Sequence, residues 1–118
     1  MEKFYVQLPL TGEYLTTVRL TTGGLCALAG FDVDTTEDFK VCVTESLLIL
    51  KRNGYISAAI DFTVGESLAC EVRGAEKGGE RVDGMEDEIS RALLSALVGE
   101  VDFTVGETGI IEKIAFEG

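Results

Sequence analysis

Residues 35–50 carry apolar side chains at the spacing of an α-helix, and this segment constrains the fold more than any other part of the chain. The apolar residues recur at three- and four-residue steps and share one broad face. The residues of that face are Phe39, Cys42, Val43, Leu47, Ile49 and Leu50. A helix this apolar on one side gains most of its stability from packing that side against other elements. The chain is therefore expected to build one core around this helix.

Polar residues predict where this helix begins and ends. Thr35 and Asp38 stand three residues apart, ahead of the apolar run, and resemble a capping box that satisfies the first backbone donors of a helix. Asn53 and Gly54 follow the apolar run and are typical of a helix C-terminus, because both tolerate the left-handed conformation.

Two further helices are predicted, one on each side of this segment. The first runs over about residues 13–29, with Thr11 as its N-cap. The second opens in the acidic run 83–88, because carboxylates stabilise a helix N-terminus, and ends at Gly99. Its expected apolar face consists of Ile89, Leu93, Ala96 and Leu97.

Five segments alternate apolar and polar residues and are predicted as strands. They are residues 3–8, 56–64, 67–73, 101–105 and 110–116. Residues 74–80 are rich in glycine and charge and are predicted as a loop. The order β-α-α-β-β-α-β-β over 118 residues predicts one α+β domain, a two-layer α/β sandwich. Its helices should cover one face of a mixed, mostly antiparallel sheet.

Composition narrows the classes of function. The net charge of −11 disfavours binding to nucleic acid, and the absence of histidine excludes histidine-based triads and histidine–metal sites. The cysteines Cys26, Cys42 and Cys70 lack the spacing of a zinc site or a disulfide framework and are expected in the core. The chain has neither a bilayer-length apolar run nor a signal-peptide pattern, so a cytoplasmic protein without a membrane partner is expected.

The segment 30–46 resembles the part of the anti-sigma-factor serine kinases, a branch of the GHKL ATPase superfamily, that carries their catalytic glutamate. Similarity in element order extends over roughly the whole chain and is strongest over residues 18–55 and 92–116. The resemblance implies that Glu45 stands where the family has the glutamate that polarises the phosphate acceptor. A solvated or helix-capping carboxylate is the other interpretation of Glu45.

The remaining nucleotide-binding positions of that family carry residues that do not suit the role. Ile49 stands where the family has the asparagine that holds Mg²⁺, and it has no ligand atom. Gly74 stands in place of the adenine-binding aspartate, and Gly78 is the one glycine left of that motif. Glu88 and Ser90 replace the phosphate-cradling glycines. The resemblance thus implies a degraded site with no cofactor or metal, and ATP and Mg²⁺ only if the chain is an active kinase.

Three functions are compatible with these residues. The first is a regulatory protein that binds a sigma factor, or the anti-anti-sigma antagonist of such circuits. The second is an active ATP-dependent serine/threonine protein kinase, and the third is a scaffold or dimerisation domain without catalysis. The resemblance implies that the dimer and sigma surfaces lie in the first strand, the first helix and the loop after it, residues 1–34. A homodimer through Phe4, Tyr5 and Leu15 is therefore expected, with Arg19 near a partner surface.

Overall fold

Eight elements in the predicted order make up the computed structural model, which describes residues 1–82 and 84–118. They are β1 (Glu2–Pro9), α1 (Gly12–Leu28), α2 (Val33–Arg52), β2 (Asn53–Val64), β3 (Leu68–Arg81), α3 (Glu86–Val98), β4 (Val101–Val105) and β5 (Ile111–Glu117). Asp83, predicted from sequence as the start of an acidic run, lies outside the described residues. No helix within the described ranges is long and apolar enough to cross a membrane.

The strands form one five-stranded sheet in the order β1-β2-β3-β5-β4. All four pairings are antiparallel, so the sheet has no parallel pair and is not the mixed, mostly antiparallel sheet expected from sequence. Helix α2 packs on β2, β3 and β5, and it also contacts α1 and α3. The predicted fold class, an α+β two-layer sandwich with its helices on one face, is confirmed.

Strand register separates a core face from an open face. Phe62 pairs with Phe4 on one side and with Cys70 on the other, and Cys70 pairs in turn with Phe116. This row of the sheet faces the helices. The neighbouring residue Asp61 begins a row that points away from them, because successive side chains of a strand alternate between faces.

The core centres on α2, as predicted. Four residues of α2 are all buried in the core: Phe39, Val43, Leu47 and Leu50. The predicted core cysteines are buried as well, and burial raises the pKa of each thiol, to about 12 for Cys42. The thiols therefore stay protonated at neutral pH and act as small apolar side chains.

The predicted capping box of α2 is wrong. The helix begins at Val33, and its N-cap is Asp32, three residues before the expected N-cap Thr35. The Asp32 carboxylate accepts a hydrogen bond of 2.8 Å from the backbone N–H of Thr35. A charged oxygen just ahead of the helix binds the free N–H groups of the first turn and so moves the start upstream. Thr11 is the N-cap of α1 as predicted, although its side chain forms no capping hydrogen bond.

The predicted loop at residues 74–80 is wrong, because these residues continue β3. They pair with the beginning of β2, where Gly74 lies opposite Ala58 and Lys77 lies opposite Tyr55. The pairing of the two strands shifts register in this part, as it does at a β-bulge. The ring of Tyr55 covers Gly74 so closely that a Cβ atom there would overlap it. A glycine in this strand therefore marks close packing and not a turn.

The predicted apolar face of α3 is confirmed only in part. Leu97 packs against the core, but Ile89 and Ala96 are exposed, whereas Ser90 and Leu94 are buried. The helix is thus rotated by about one residue from the orientation that its apolar pattern predicts. The polar contacts between α3 and α2, described below, account for this rotation.

Candidate functional site

Five polar residues join the end of α2 to the beginning of α3, and we call them the α2–α3 polar network. They are Glu45, Arg52, Asn53, Asp87 and Ser90. Helical spacing explains the set: Glu45 and Arg52 lie two turns apart on one face of α2, and Asp87 and Ser90 lie one turn apart on α3. Packing of the two helices brings these faces together.

Ser90 is the centre of the network. Its hydroxyl donates a hydrogen bond of 2.7 Å to Oε2 of Glu45 and accepts one of 2.7 Å from Nη2 of Arg52. The residue is 4% exposed. A buried hydroxyl that has a charged partner on either side is fully satisfied, and its hydrogen bonds are of the stronger, charge-assisted kind.

Asp87 is held by two donors from the end of α2. Nε of Arg52 donates to one carboxylate oxygen at 2.5 Å, and Nδ2 of Asn53 donates to the other at 2.8 Å. The ion pair is largely enclosed, since the side chains of Arg52 and Asp87 are 18% and 26% exposed. This ion pair and the hydrogen bond from Asn53 therefore fix the first turn of α3 against the end of α2.

Asn53 ties the same place to the sheet. Its Nδ2 also donates to the carbonyl of Ile49 at 2.7 Å, and its Oδ1 accepts a hydrogen bond of 3.0 Å from the backbone N–H of Ile111 in β5. The side chain thus satisfies a carbonyl in the last turn of α2 and a backbone donor of β5 together. This buried asparagine makes the network part of the core.

The structure brings together two of the site residues predicted from sequence, Glu45 and Ser90. Glu45 is partly exposed on α2 and holds the Ser90 hydroxyl. Ile49 lies one turn further along α2 with no exposed surface and belongs to the apolar core. No oxygen or nitrogen ligand for a cation is therefore presented by the side chain at position 49.

The other predicted positions lie apart from that pair. Gly74 and Gly78 are in β3, where they face Tyr55 and Ile56 of the neighbouring strand. Glu88 is exposed in the first turn of α3 and lines a cavity of about 230 Å³. That cavity is also lined by Arg91 and by two residues of the α2–α3 polar network, Asn53 and Asp87.

Sequence reasoning missed the roles of Arg52, Asn53 and Asp87. Nothing in the local sequence distinguishes Arg52 from a surface arginine, but the structure gives it specific partners in Asp87 and Ser90. Asn53 was identified only as a helix end, and Asp87 only as one of several acids that suit a helix N-terminus. The one available signal is the i, i+3 spacing of Asp87 and Ser90, which puts two polar groups on one side of α3.

Electrostatics limit what this arrangement can do. One cation, Arg52, lies between the two carboxylates of Glu45 and Asp87, so the network carries net negative charge. A phosphate placed beside it would meet like charge. Among the described residues, no group of three or more Cys, Asp or Glu side chains is arranged to hold a metal ion. The remaining chemical feature is Glu45, a carboxylate at hydrogen-bond distance from a serine hydroxyl.

The fold, with helices on one face of an antiparallel sheet and a polar site between the second and third helices, is consistent with a GHKL-like α/β sandwich. No family model matches the chain. The chain is similar to the serine-protein kinase RsbW of Bacillus mycoides strain KBAB4, with 29% identity over 63 residues. It is also similar to the protein of the same name from Bacillus cereus strain AH187, with 32% identity over 54 residues.

These similarities cover about half of this chain, 53% and 46%, and a smaller share of the relatives, 39% and 34%. The matched part of the chain therefore spans little more than a third of the curated relatives. Such weak and partial similarity indicates a relationship to GHKL-type serine kinases.

Proposed function

We propose that this chain is a regulatory protein of the anti-sigma-factor type that acts by protein–protein contact, with side chains of its own occupying the former ATP position. The observation that carries this proposal is the α2–α3 polar network. Its residues include Glu45 and Ser90, two positions that the resemblance assigns to the nucleotide site, and these bond directly to each other. A nucleotide between them would have to break a buried hydrogen bond and bring phosphate beside carboxylates.

Two further positions support a site that no longer binds nucleotide. Ile49, at the position of the metal ligand, is sealed in the core. Gly74, at the position of the adenine-binding aspartate, lies under the ring of Tyr55, so that a carboxylate cannot be accommodated there without moving the ring. We therefore propose a pseudo-kinase that needs neither ATP nor Mg²⁺ for its role.

The partners in this proposal follow from the resemblance. The chain would act as one domain in the cytoplasm and bind a sigma factor or an anti-anti-sigma antagonist. It would form a homodimer through the N-terminal elements, where Phe4 and Tyr5 of the edge strand β1 are partly exposed. Arg19, on α1, would lie near a partner surface, because a guanidinium group suits paired contacts with carboxylates.

An active serine kinase is the second candidate, and one contact favours it. Glu45 accepts a hydrogen bond from a serine hydroxyl at 2.7 Å, the geometry that a general base needs toward its substrate. In that case Ser90 would have to leave Glu45 when a nucleotide and a substrate serine arrive.

Calorimetric titration of Mg-ATP into the protein separates the two candidates. The proposed function predicts a dissociation constant weaker than about 100 μM, roughly −5.5 kcal/mol. The similar serine-protein kinase from Bacillus mycoides serves as the positive control. Tighter binding by this chain, with transfer of phosphate to a protein serine, would favour the active kinase.

Transcription with purified components tests the regulatory role. RNA polymerase from the source organism is loaded with each of its sigma factors in turn, and the protein is added without nucleotide. We expect loss of transcription with one sigma factor, and restoration when that factor is in excess. A protein that is a strict monomer in sedimentation, inhibits no sigma factor and binds no antagonist, with or without Arg19→Ala, would instead be a scaffold domain.

A further inference from the structure

The face of the sheet opposite the helices is uncovered, and it is not part of the α2–α3 polar network. Two neighbouring rows of residues cross it, as the strand register shows. The first row is Tyr5, Asp61, Glu71, Ala115 and Asp102. The second row is Lys3, Thr63, Ala69 and Glu117.

All of these residues except Tyr5 line a trough of about 800 Å³, and we call it the open-face trough. Its lining includes Ala69 and Ala115 from the inner strands, with Lys3 at the β1 edge and Asp102 at the β4 edge. The methyl groups on the inner strands leave depth between the longer side chains at the edges. A solvent-facing sheet of uniformly long polar side chains would have no such concavity.

The charge of the trough is uneven. Asp61 is paired with Arg73, and Lys113 lies 3.9 Å from Glu71. By contrast, Glu100, Asp102 and Glu117 form no ion pair within residues 1–82 and 84–118. The end of the trough nearest β4 is therefore a concave surface with three carboxylates that this chain does not neutralise.

A repeated hexapeptide contributes to this surface. The sequence Asp-Phe-Thr-Val-Gly-Glu occurs at residues 61–66 and 102–107. Both copies lie at the end of a strand that leads into a turn, and in both the aspartate lines the trough. The phenylalanines Phe62 and Phe103 point the other way, toward the core cluster. The repeat thus places Asp61 and Asp102 in one trough from two different strands.

We infer that the open-face trough binds a basic segment of a partner protein, one that carries several lysine or arginine side chains. Charge complementarity selects this occupant, because unpaired carboxylates around an alanine floor suit long cationic side chains whose methylene stems cover the alanines. The trough carboxylates disfavour nucleic acid and the acidic surface of a second copy, whose net charge is −11, as occupants of this trough. The surface lies on the opposite side of the sheet from Glu45, so the inference does not depend on the proposed loss of nucleotide binding.

Fluorescence anisotropy with a labelled oligolysine peptide tests this inference, and an oligoglutamate peptide of equal length serves as the negative probe. The double variant Asp102→Asn/Glu117→Gln removes two trough carboxylates. The matched control Glu13→Gln/Glu107→Gln removes two exposed carboxylates that do not line the trough. We expect at least about a tenfold loss of oligolysine affinity in the trough variant and less than about twofold in the control.

A third variant separates shape from charge. Ala115→Leu fills the floor without changing the charge, and it should weaken oligolysine binding by about threefold or more if the peptide enters the trough. Equal losses in the trough and control variants, or unchanged binding by Ala115→Leu, would show only general attraction to an acidic protein and would overturn the inference. A change in sedimentation of the trough variant alone would overturn it too, because the face would then be an interface between copies.

Discussion

The Ser90 hydroxyl lies 2.7 Å from Oε2 of Glu45 and links α3 to α2. The Ser90 hydroxyl oxygen also accepts a hydrogen bond from Arg52, so that one buried atom connects a carboxylate and a guanidinium group. Contacts between the protein's own side chains therefore hold α2 and α3 together in this region.

Removal of this hydroxyl should therefore destabilise the fold. Ser90→Ala leaves Glu45 and Arg52 each without one partner, which we expect to lower the free energy of unfolding by about 1–3 kcal/mol. Ser95→Ala, at an exposed position of the same helix, is the control and should change it by less than about 0.5 kcal/mol. Urea denaturation measures both. Equal stability of the two variants would mean that the network contributes nothing to folding.

Restoring the metal-ligand residue of the family should harm this chain and not repair it. Ile49 has no exposed surface, so Ile49→Asn buries an amide without a partner and should cost roughly 2 kcal/mol or more. Ile49→Val, which removes one methylene, should cost about 0.5–1.5 kcal/mol. If Ile49→Asn did not lower the melting temperature, or if Mg-ATP raised the melting temperature of this variant, position 49 would be accessible to solvent and the site able to bind a ligand.

Gly74→Ala tests the packing of β3 on Tyr55. The added methyl group would overlap the ring, which we expect to cost about 1–3 kcal/mol, as for other overpacked sites. Gly24→Ala in α1 is the matched control, because a Cβ atom there has no neighbour within 4 Å. That variant should be more stable by about 0.5–1 kcal/mol. If Gly74→Ala were also stabilised, the Tyr55 ring would not cover this glycine.

The N-cap of α2 should give the protein a pH-dependent contribution to stability. The hydrogen bond from the Thr35 backbone lowers the pKa of Asp32 below its ordinary value of 3.8. A lowered folded-state pKa stabilises above the unfolded value, and the contribution is lost as the pH falls through the folded value. Asp32→Ala should therefore melt below the wild type at pH 7, and the gap should narrow below pH 3.8.

Asp32→Asn is the control for this prediction. Its amide oxygen can still accept the hydrogen bond from Thr35, but it does not titrate. The difference in melting temperature between Asp32→Asn and Asp32→Ala should therefore not depend on pH. If the difference in melting temperature between the wild type and Asp32→Ala were equally independent of pH, the carboxylate charge would not be involved.

The central helix and the hairpins could be predicted because each of them carries its own periodic pattern. Phe39, Val43 and Leu47 follow the helical repeat, and this repeat alone requires a buried face. The same reasoning fails for α3, where Ile89 and Leu93 point to one face but Asp87 and Ser90 decide the orientation. Their partners are on α2, so the deciding contacts are absent from the local sequence.

The length of β3 could not be predicted for a similar reason. Its second half is rich in glycine and charge, which is typical of a loop. It is a strand because the beginning of β2 offers it a partner and because Gly74 admits the Tyr55 ring. The site itself was predictable only where the resemblance named positions, as for Glu45 and Ser90. Arg52 and Asp87 needed the three-dimensional arrangement.

The position of β1 at the edge of the sheet has a consequence for the growing chain. Lys3 pairs with Thr63, sixty residues later, whereas the hairpins β2–β3 and β4–β5 pair between neighbouring segments. Loop closure over such a separation is slow compared with hairpin formation. During synthesis this eight-residue strand is therefore made before the other strands of the sheet and waits longest for its neighbour. Lys3 and Gln7, which alternate with its apolar residues, keep the waiting strand from pairing with another nascent chain.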